Sequence, residues 1–321
     1  MSIKPKVPIY IGSMRGSPRR KFLVKKLKKL NLKYKIFYGL TGKTNREKKL
    51  IYDQYDRYRV LSYLGRDMGF NEIGNMYTLI RRLKYASKKK LENVILLDDD
   101  FYPSNLLKEW VNKRVYFKGS KIVHFHCAGS GFLEKKKINI LNNKYKVYFA
   151  KTHLNNYGAA QFTNEAIEKF LKISKGKTIG VGDYPFDLSK NKIQLLQVTP
   201  FLGYPDDRGY SYLHKDRMNK NKEISFGISK KIKKILYTNL GSKKAEALLD
   251  IIRVFYYLLF IPFIFRKIKN FEYYNDIFIK KNLCKLINFF FHSYIDVKKI
   301  HNLKKSYPKD LMKYYGINKV Y

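Results

Sequence analysis

Asn93-Val94-Ile95-Leu96-Leu97-Asp98-Asp99-Asp100-Phe101-Tyr102 is the stretch on which the fold reading turns. An apolar run, Val94 to Leu97, stops at three consecutive carboxylates, and Pro103 and Ser104 follow before a helical pattern begins. A short apolar run bounded by polar residues predicts a strand buried on both faces. Three acids at its C-terminal end repel one another unless a cation lies among them. The C-terminal edge of an open α/β sheet is also where ligands bind. A metal–phosphate site is therefore the first expectation. A solvated turn whose Asp or Ser caps the next helix is the plain alternative.

Upstream, Val7-Pro8-Ile9-Tyr10-Ile11 predicts a first strand and Gly12-Ser13-Met14-Arg15-Gly16-Ser17 a polar turn. Ser17 stands as cap and Pro18 in the first turn of a helix with apolar positions Phe22, Leu23, Leu27 and Leu30. A second strand, Tyr34 to Tyr38, ends at Gly39-Leu40-Thr41-Gly42. Strand, helix, strand is an α/β opening. Backbone N–H groups around Ser13, a helix N-terminus, and Arg15, Arg19 and Arg20 equip the first turn to hold a phosphate. Neither the GxGxxG of a dinucleotide fold nor the GK[ST] of a P-loop is present.

Glu72 to Ala86 has the clearest helical period. Ile73, Met76, Tyr77, Ile80 and Leu83 share one face; Asn71, Asn75, Thr78 and Arg82 share the other. The apolar face is expected in the core. The polar face is expected in solvent, with Asn75 and Thr78 able to line a cleft. Past the acids, Leu106 to Val111 begins a helix that holds the only Trp, Trp110. Lys121 to His126 alternates as a strand and sets His124 and His126 on one face. That pair is able to bind metal, but no acid lies near it in sequence. Tyr145 to Ala150 and Ile193 to Val198 predict further strands, and Thr163 opens an amphipathic helix. A loop from Gly176 to Gly182 leads to Asp183-Tyr184-Pro185-Phe186-Asp187.

Charge is the outlier of the composition. Across 321 residues, 67 Lys and Arg face 25 Asp and Glu, a net +42. Such a surface attracts anions: nucleic acid, acidic lipid or phosphorylated substrates. The basic residues are spread along the whole chain rather than gathered with aromatics on one face, so a nucleic-acid groove is not expected. A hydrophobic content of 45%, with 28 Tyr and 22 Phe, supplies a sizeable core and excludes global disorder. Cys127 and Cys284 lack CxxC spacing, which argues against a disulfide framework or structural zinc. The first eight residues carry no apolar signal-peptide run, so a cytoplasmic location is expected.

Composition shifts after about Lys215, dividing the chain into a domain over 1–215 and a basic helical region over 216–321. Within the latter, Ala245 to Phe265 is apolar apart from a stripe of Glu246, Asp250 and Arg253. Its uninterrupted apolar run, Val254 to Phe265, has 12 residues and contains Pro262, against the roughly 20 that a spanning helix needs. With Arg266-Lys267-Ile268-Lys269 behind it, the segment suits an interfacial helix on an anionic membrane or a helix in the core.

A phosphate-bearing donor needs a nucleotide pocket, a divalent cation on its diphosphate and a group to activate the nucleophile. Mn2+ and Mg2+ take hard oxygen ligands and bridge substrate phosphates. Alternate residues of an extended segment point the same way, so Asp98 and Asp100 form a D-x-D pair of candidate metal ligands. Asp183 and Asp187, among Gly, Pro and aromatic residues where a sugar can stack, are candidates for a general base on a sugar hydroxyl. A turn or cap role is the plain alternative for each.

In order and spacing these residues resemble glycosyltransferase family 25, the lipopolysaccharide and procollagen glycosyltransferases. The resemblance runs over about residues 7 to 215. It rests on Ile9-Tyr10-Ile11, Ser17-Pro18-Arg19-Arg20, Gly39-Leu40-Thr41-Gly42, Glu72-Ile73-Gly74-Asn75-Met76-Tyr77-Thr78-Leu79 for the family's E-I-G-C-x-x-S-H, and Leu97-Asp98-Asp99-Asp100 for its L-E-D-D. Gly158 to Thr163, Gly182-Asp183, and Pro200 to Ser211 continue the order. Asn75 replaces the family Cys, Thr78 and Leu79 its Ser-His pair, and Asp98 its first acid.

The resemblance implies an α/β fold: a GT-A-like single Rossmann-type mixed sheet flanked by helices, with a basic, apolar helical C-terminal extension. It implies inverting transfer of a hexose from a nucleotide sugar, UDP-galactose or UDP-glucose, to a hydroxyl of a growing glycan or glycolipid such as lipopolysaccharide or lipooligosaccharide. Ser13, Arg15, Arg20, Gly39 and Asp98 would bind the donor, and Asp98 and Asp100 the Mn2+ or Mg2+. Asp183 would be the catalytic base and Asp187 an acceptor contact. Peripheral attachment to the inner face of the membrane accompanies that reading. Two others compete: a basic polyanion-binding protein without catalysis, and a haloacid-dehalogenase-like phosphatase. The latter wants D-x-D-x-[TV] near the first strand, and here Tyr102 stands in the last place.

Overall fold

Val94 to Leu97 is buried completely, and its alternation feeds two separate cores. In the computed structural model this run lies in β3 (Asn93–Asp98), a parallel neighbour of β1 (Ile9–Met14), which on its other side pairs in parallel with β2 (Tyr34–Gly39). The structure describes residues 5–53, 55, 69–126, 131–152, 154, 158–174, 192–205, 248, 283–284, 287–288 and 291–296. Beyond β3 the sheet turns mixed. β8 (Ala159–Thr163) is antiparallel to both β3 and β5 (Lys121–His124), and β5 is parallel to β9 (Gln194–Thr199). Then β7 (Tyr145–Ala150), β6 (Phe132–Ile140) and β11 (Tyr294–Asp296) follow antiparallel. The nine-strand order is β11-β6-β7-β9-β5-β8-β3-β1-β2.

Helices cover both faces, as an α/β sheet with two apolar sides requires. On one face Tyr10, Val94, Leu96, Ala160 and Phe162 meet α3 (Phe70–Lys88) through Ile73, Met76, Ile80 and Leu83, and α5 (Asn164–Ser174) through Ile167 and Phe170. On the other, Ile9, Ile11, Ile95 and Leu97 meet α1 (Pro18–Lys29) through Leu23 and Leu27, and α4 (Asn105–Asn112) through Leu107 and Trp110. The helix α2 (Asn45–Asp53) follows β2 and packs on α3. A large mixed sheet flanked by helices is thus the architecture, as the sequence predicts.

The expected elements recur with small shifts of boundary, and three differences have physical causes. Ser17 sits at the N-cap of α1 but makes no side-chain cap bond; its N–H instead donates to Met14 O at 3.2 Å, closing the β1–α1 turn in which Gly16 takes φ of 77°. The strand β6 has no counterpart in the sequence reading because Lys135-Lys136-Lys137 are all exposed and carry no apolar alternation. The polar stripe of α3 is not uniformly solvent-facing: Asn75 is exposed, whereas Thr78 and Arg82 are each 2% exposed. Among the described residues no helix is long and apolar enough to cross a membrane. The Ala245–Phe265 segment lies outside them apart from Leu248.

Candidate active site at the C-terminal edge of three parallel strands

Register decides what meets at this edge. Gly12 is level with Asp98 on one side and Phe37 on the other, and Met14 is level with Gly39. The turn after β1, the end of β2 and the acidic segment therefore lie side by side, each one strand spacing of about 4.8 Å from the next. The chain is pinned just beyond the acids by a two-stranded sheet, in which β4 (Phe101–Pro103) is antiparallel to β10 (Gly203–Pro205). Only a glycine fits at 203, since a Cβ there would lie 2.2 Å from the Phe101 ring.

The three carboxylates are held differently. Asp98 ends β3, and its Oδ1 accepts from Arg82 Nη2 at 2.8 Å. Asp99 Oδ2 accepts from Ser13 Oγ at 2.7 Å, and its Oδ1 lies 3.1 Å from Arg19 Nη2. Asp100 Oδ2 is 3.5 Å from Arg19 Nη1. Asp99 and Asp100 lie in a turn rather than in continuing strand, so their directions come from that turn and its partners, not from strand alternation. Asp99 is the brace of the site, joining β1 and α1 with both oxygens used. Asp98 and Asp100 keep solvent-facing edges, their side chains 26% and 36% exposed.

Burial pushes the Asp98 carboxyl above its ordinary range, and Arg82 only partly opposes this. Asp100 is pushed up to about 7 by burial and then by the neighbouring Asp98 charge. The two carboxylates therefore resist joint ionisation.

Arg82 is the residue that sequence reasoning missed. Gly74, Thr78 and Arg82 are one turn apart on α3 and track across the strand ends. A Cβ on Gly74 would sit 3.3 Å from Leu40 O; Thr78 Oγ1 lies 3.2 Å from where a Gly39 Cβ would be; and the Arg82 guanidinium fills the space of a Gly12 Cβ at 2.7 to 2.9 Å. The other Arg82 donor, Nη1, reaches Leu97 O at 2.9 Å. A column of Gly, Thr and Arg at i, i+4, i+8 against glycines in two strands was the available signal. Leu79, in the place of the family His, packs in the core at 7% exposure.

The other expected residues divide. Ser13 is in place on Asp99. Arg20 Nη1 donates to Met14 O at 2.9 Å, and its guanidinium lies 5.0 Å from the Tyr38 ring centre, so Arg19 rather than Arg20 reaches the acids. Arg15 is exposed, 5.6 Å from the same ring. With Tyr38, Gly39, Glu47 and Arg81 it lines a cleft of about 430 Å³. Thr41 donates through N and Oγ1 to Glu47 Oε2, fixing the loop after β2 and holding the Glu47 carboxyl below its usual range. His124 and His126 are buried, and His126 stacks on Phe101 at 5.4 Å. Asp183 and Asp187 lie outside the described residues.

Gly12→Ala tests the close approach. A Cβ pressed on the buried guanidinium drives Arg82 off Asp98, and a cost of about 1–3 kcal/mol is expected from overpacking. Urea denaturation measures it; an unchanged midpoint would mean that Arg82 moves aside freely.

Among the described residues no group of three or more His, Cys, Asp and Glu is disposed to hold a metal ion. Asp98 and Asp100, each with an open edge, are the oxygen donors that could take part in holding a hard divalent cation. A family model described as glycosyltransferase family 25 (LPS biosynthesis protein) matches residues 6–189. Comparison with curated proteins finds no match.

Proposed function

We propose, starting from the fact that this chain belongs to glycosyltransferase family 25 and is a transferase, that it moves a hexose from UDP-galactose or UDP-glucose to a glycan hydroxyl. The acceptor in this reading is a growing lipopolysaccharide or lipooligosaccharide, and the anomeric centre inverts. The observation that supports it most is the convergence at one sheet edge of Ser13, Arg19 and Arg20 from the first turn, Gly39 from β2, and Asp98 to Asp100, with Gly39 also lining the 430 Å³ cleft. The non-catalytic polyanion-binding and phosphatase readings give way to the family membership.

In this mechanism the cleft of Arg15, Tyr38 and Arg81 takes the nucleoside end, with a planar ring and cations for a base and phosphate. The first turn offers backbone N–H groups at the start of α1 to the diphosphate. Asp98 and Asp100 would hold a divalent cation, Mn2+ or Mg2+, which when bound supplies charge neutralisation to the leaving diphosphate. A single displacement needs one base on the acceptor hydroxyl, and Asp183 is assigned that proton, with Asp187 contacting the acceptor. The apolar segment at 245–265, with its basic flank Arg266-Lys267-Ile268-Lys269, would hold the enzyme peripherally on the cytoplasmic face of the membrane, close to a lipid-linked acceptor.

Calorimetry with a panel of nucleotide sugars tests the reading. Heat is expected with UDP-galactose or UDP-glucose in the presence of Mn2+, and its loss when EDTA removes the metal. No heat with any nucleotide sugar, beside tight salt-sensitive binding to nucleic acid, would overturn it.

A further inference from the structure

We infer that Phe291 and the exposed lysines of β6 form one docking surface for an anionic lipid bilayer, separate from both the apolar segment at 245–265 and the acid edge. It adds to the transferase reading a face of the fold that meets the membrane, and it stands whether or not the donor assignment holds.

The lysines come first. Lys135, Lys136 and Lys137 of β6 are all exposed. A regular strand turns neighbouring side chains to opposite faces. Here the register slips: Leu133 is level with Ala150 and Lys137 with Tyr148, four steps on β6 against two on β7. The surplus residues bulge outward, so the whole lysine run reaches water. Lys136 Nζ lies 5.6 Å from the Phe149 ring centre. Glu134, half-buried, is the acid adjoining the run.

Phe291 arrives from far along the chain. It is the last helical residue before β11 and is 73% exposed. Since β11 is antiparallel to β6 and Tyr294 is level with Glu134, the chain leading into Tyr294 runs alongside the chain leaving Glu134. Phe291, His292 and Ser293, all exposed, therefore flank the lysines. The turn is tied to the sheet. His292 N–H donates to Asn288 O at 3.0 Å, Tyr294 N–H donates to Asn288 Oδ1 at 2.8 Å, and the Tyr294 and Phe132 rings pack with centres 6.4 Å apart.

A single exposed Phe is ordinary on a protein surface. Beside three lysines it has the chemistry of a bilayer interface: the ring enters the boundary between headgroups and acyl chains, and the cations stay with anionic headgroups. A free phosphate or a charged sugar would satisfy the lysines and leave the ring unused. Single-stranded nucleic acid stacks on successive aromatics, and this surface offers one exposed ring among its described residues. In the nine-strand order β11 and β2 stand at opposite ends, with β3 six strands from β11, about 29 Å at the usual strand spacing. A bilayer seated here keeps clear of the cleft beside β2.

The test is flotation of the full chain with vesicles of phosphatidylcholine, alone and mixed with phosphatidylglycerol. Wild type is expected on the anionic vesicles only, with binding lost as salt rises. Lys135→Gln, Lys136→Gln and Lys137→Gln together are expected to weaken binding about a hundredfold. Phe291→Ser is expected to weaken it about tenfold. Lys25→Gln, Lys28→Gln and Lys29→Gln together remove the same charge from exposed positions on α1 and should cost far less. Phe291→Trp reads insertion directly, because Trp110 is fully buried: a blue shift and quenching by brominated lipid are expected. Equal losses in the two triple variants, an unquenched Trp at 291, or binding that survives both the β6 triple and Phe291→Ser overturns the inference. Quenching by single-stranded DNA and not by vesicles overturns it in favour of nucleic acid. Nucleotide-sugar calorimetry on the same proteins reads the transferase separately. Unchanged heat beside lost vesicle binding supports the inference, and absent heat in the wild type counts against the transferase reading alone.

Discussion

Asp100→Ala is expected to abolish Mn2+-dependent binding of a UDP-sugar while leaving the fold intact. Asp100 has the most open side chain of the three acids, and its contact with Arg19 at 3.5 Å is the longest in the cluster. Arg19 keeps its 3.1 Å partner, Asp99, when Asp100 is truncated, so no buried charge is left alone. The Asp100 carboxyl is raised by burial and by Asp98 rather than held down by Arg19, so its removal relieves an unfavourable charge and the urea midpoint should not fall. The ligand effect is of another size. Asp98 already shares one oxygen with Arg82, so in the proposed metal site losing Asp100 would leave a single half-committed carboxylate for a cation. Metal-dependent donor binding should fall beyond detection in calorimetry, and transfer by roughly three orders of magnitude or more. A variant that binds UDP-sugar with wild-type heat and the same Mn2+ requirement would remove Asp100 from the metal site and return the acidic segment to the status of a turn.

The acidic strand end was legible because its signal is local. Four apolar residues between polar ones, then charges that need a partner, describe both a buried strand and the acidic end that Ser13, Arg19 and Arg82 meet. Register with β1 and β2 was not legible. The distance between Gly12 and Asp98 along the chain is bridged only in the folded sheet, and with it the approach of Arg82 to both. A polar stripe on a helix reads as a solvent face, because the sequence does not show which strand ends lie beneath it. The same reasoning chose Arg20 over Arg19 for the phosphate turn. The two are adjacent on α1 and point to different partners, Met14 O and the acids, by a rotation that composition does not encode. The Lys-rich strand β6 was hidden for the opposite reason: its pairing with β7 and β11 is carried by backbone bonds, and its exposed side chains report nothing of it. Leu79, where the family pattern has His, is a buried core residue.

Trp110→Ala is the substitution expected to cost the most stability. Trp110 is fully buried, packs edge-on to Tyr145 and Phe125, and stacks on Phe117. Truncating a core Trp costs about 3–5 kcal/mol in lost transfer and cavity. Here a polar debt is added. Trp110 Nε1 donates to Gln161 Oε1 at 2.7 Å, and Gln161 Nε2 donates to Asn93 Oδ1 at 2.7 Å and Val115 O at 2.8 Å. Gln161 is completely buried, so removal of the indole leaves its carbonyl unpaired at about 1–3 kcal/mol. Against a typical total of about 5–15 kcal/mol for a domain, the sum reaches a large fraction of the whole. Trp110→Phe separates the two parts: it keeps most of the volume and loses only the donor. Urea melts followed by far-UV circular dichroism should therefore rank wild type, then Phe, then Ala. The consequence for the site is direct, because Gln161 sits on β8 opposite Ile95 of β3 and Asn93 begins that strand. The network holds the base of the strand whose other end carries Asp98. A Phe variant as unstable as the Ala variant would place the whole cost in the hydrogen bonds, and equal stability of wild type and Phe would place it in packing alone.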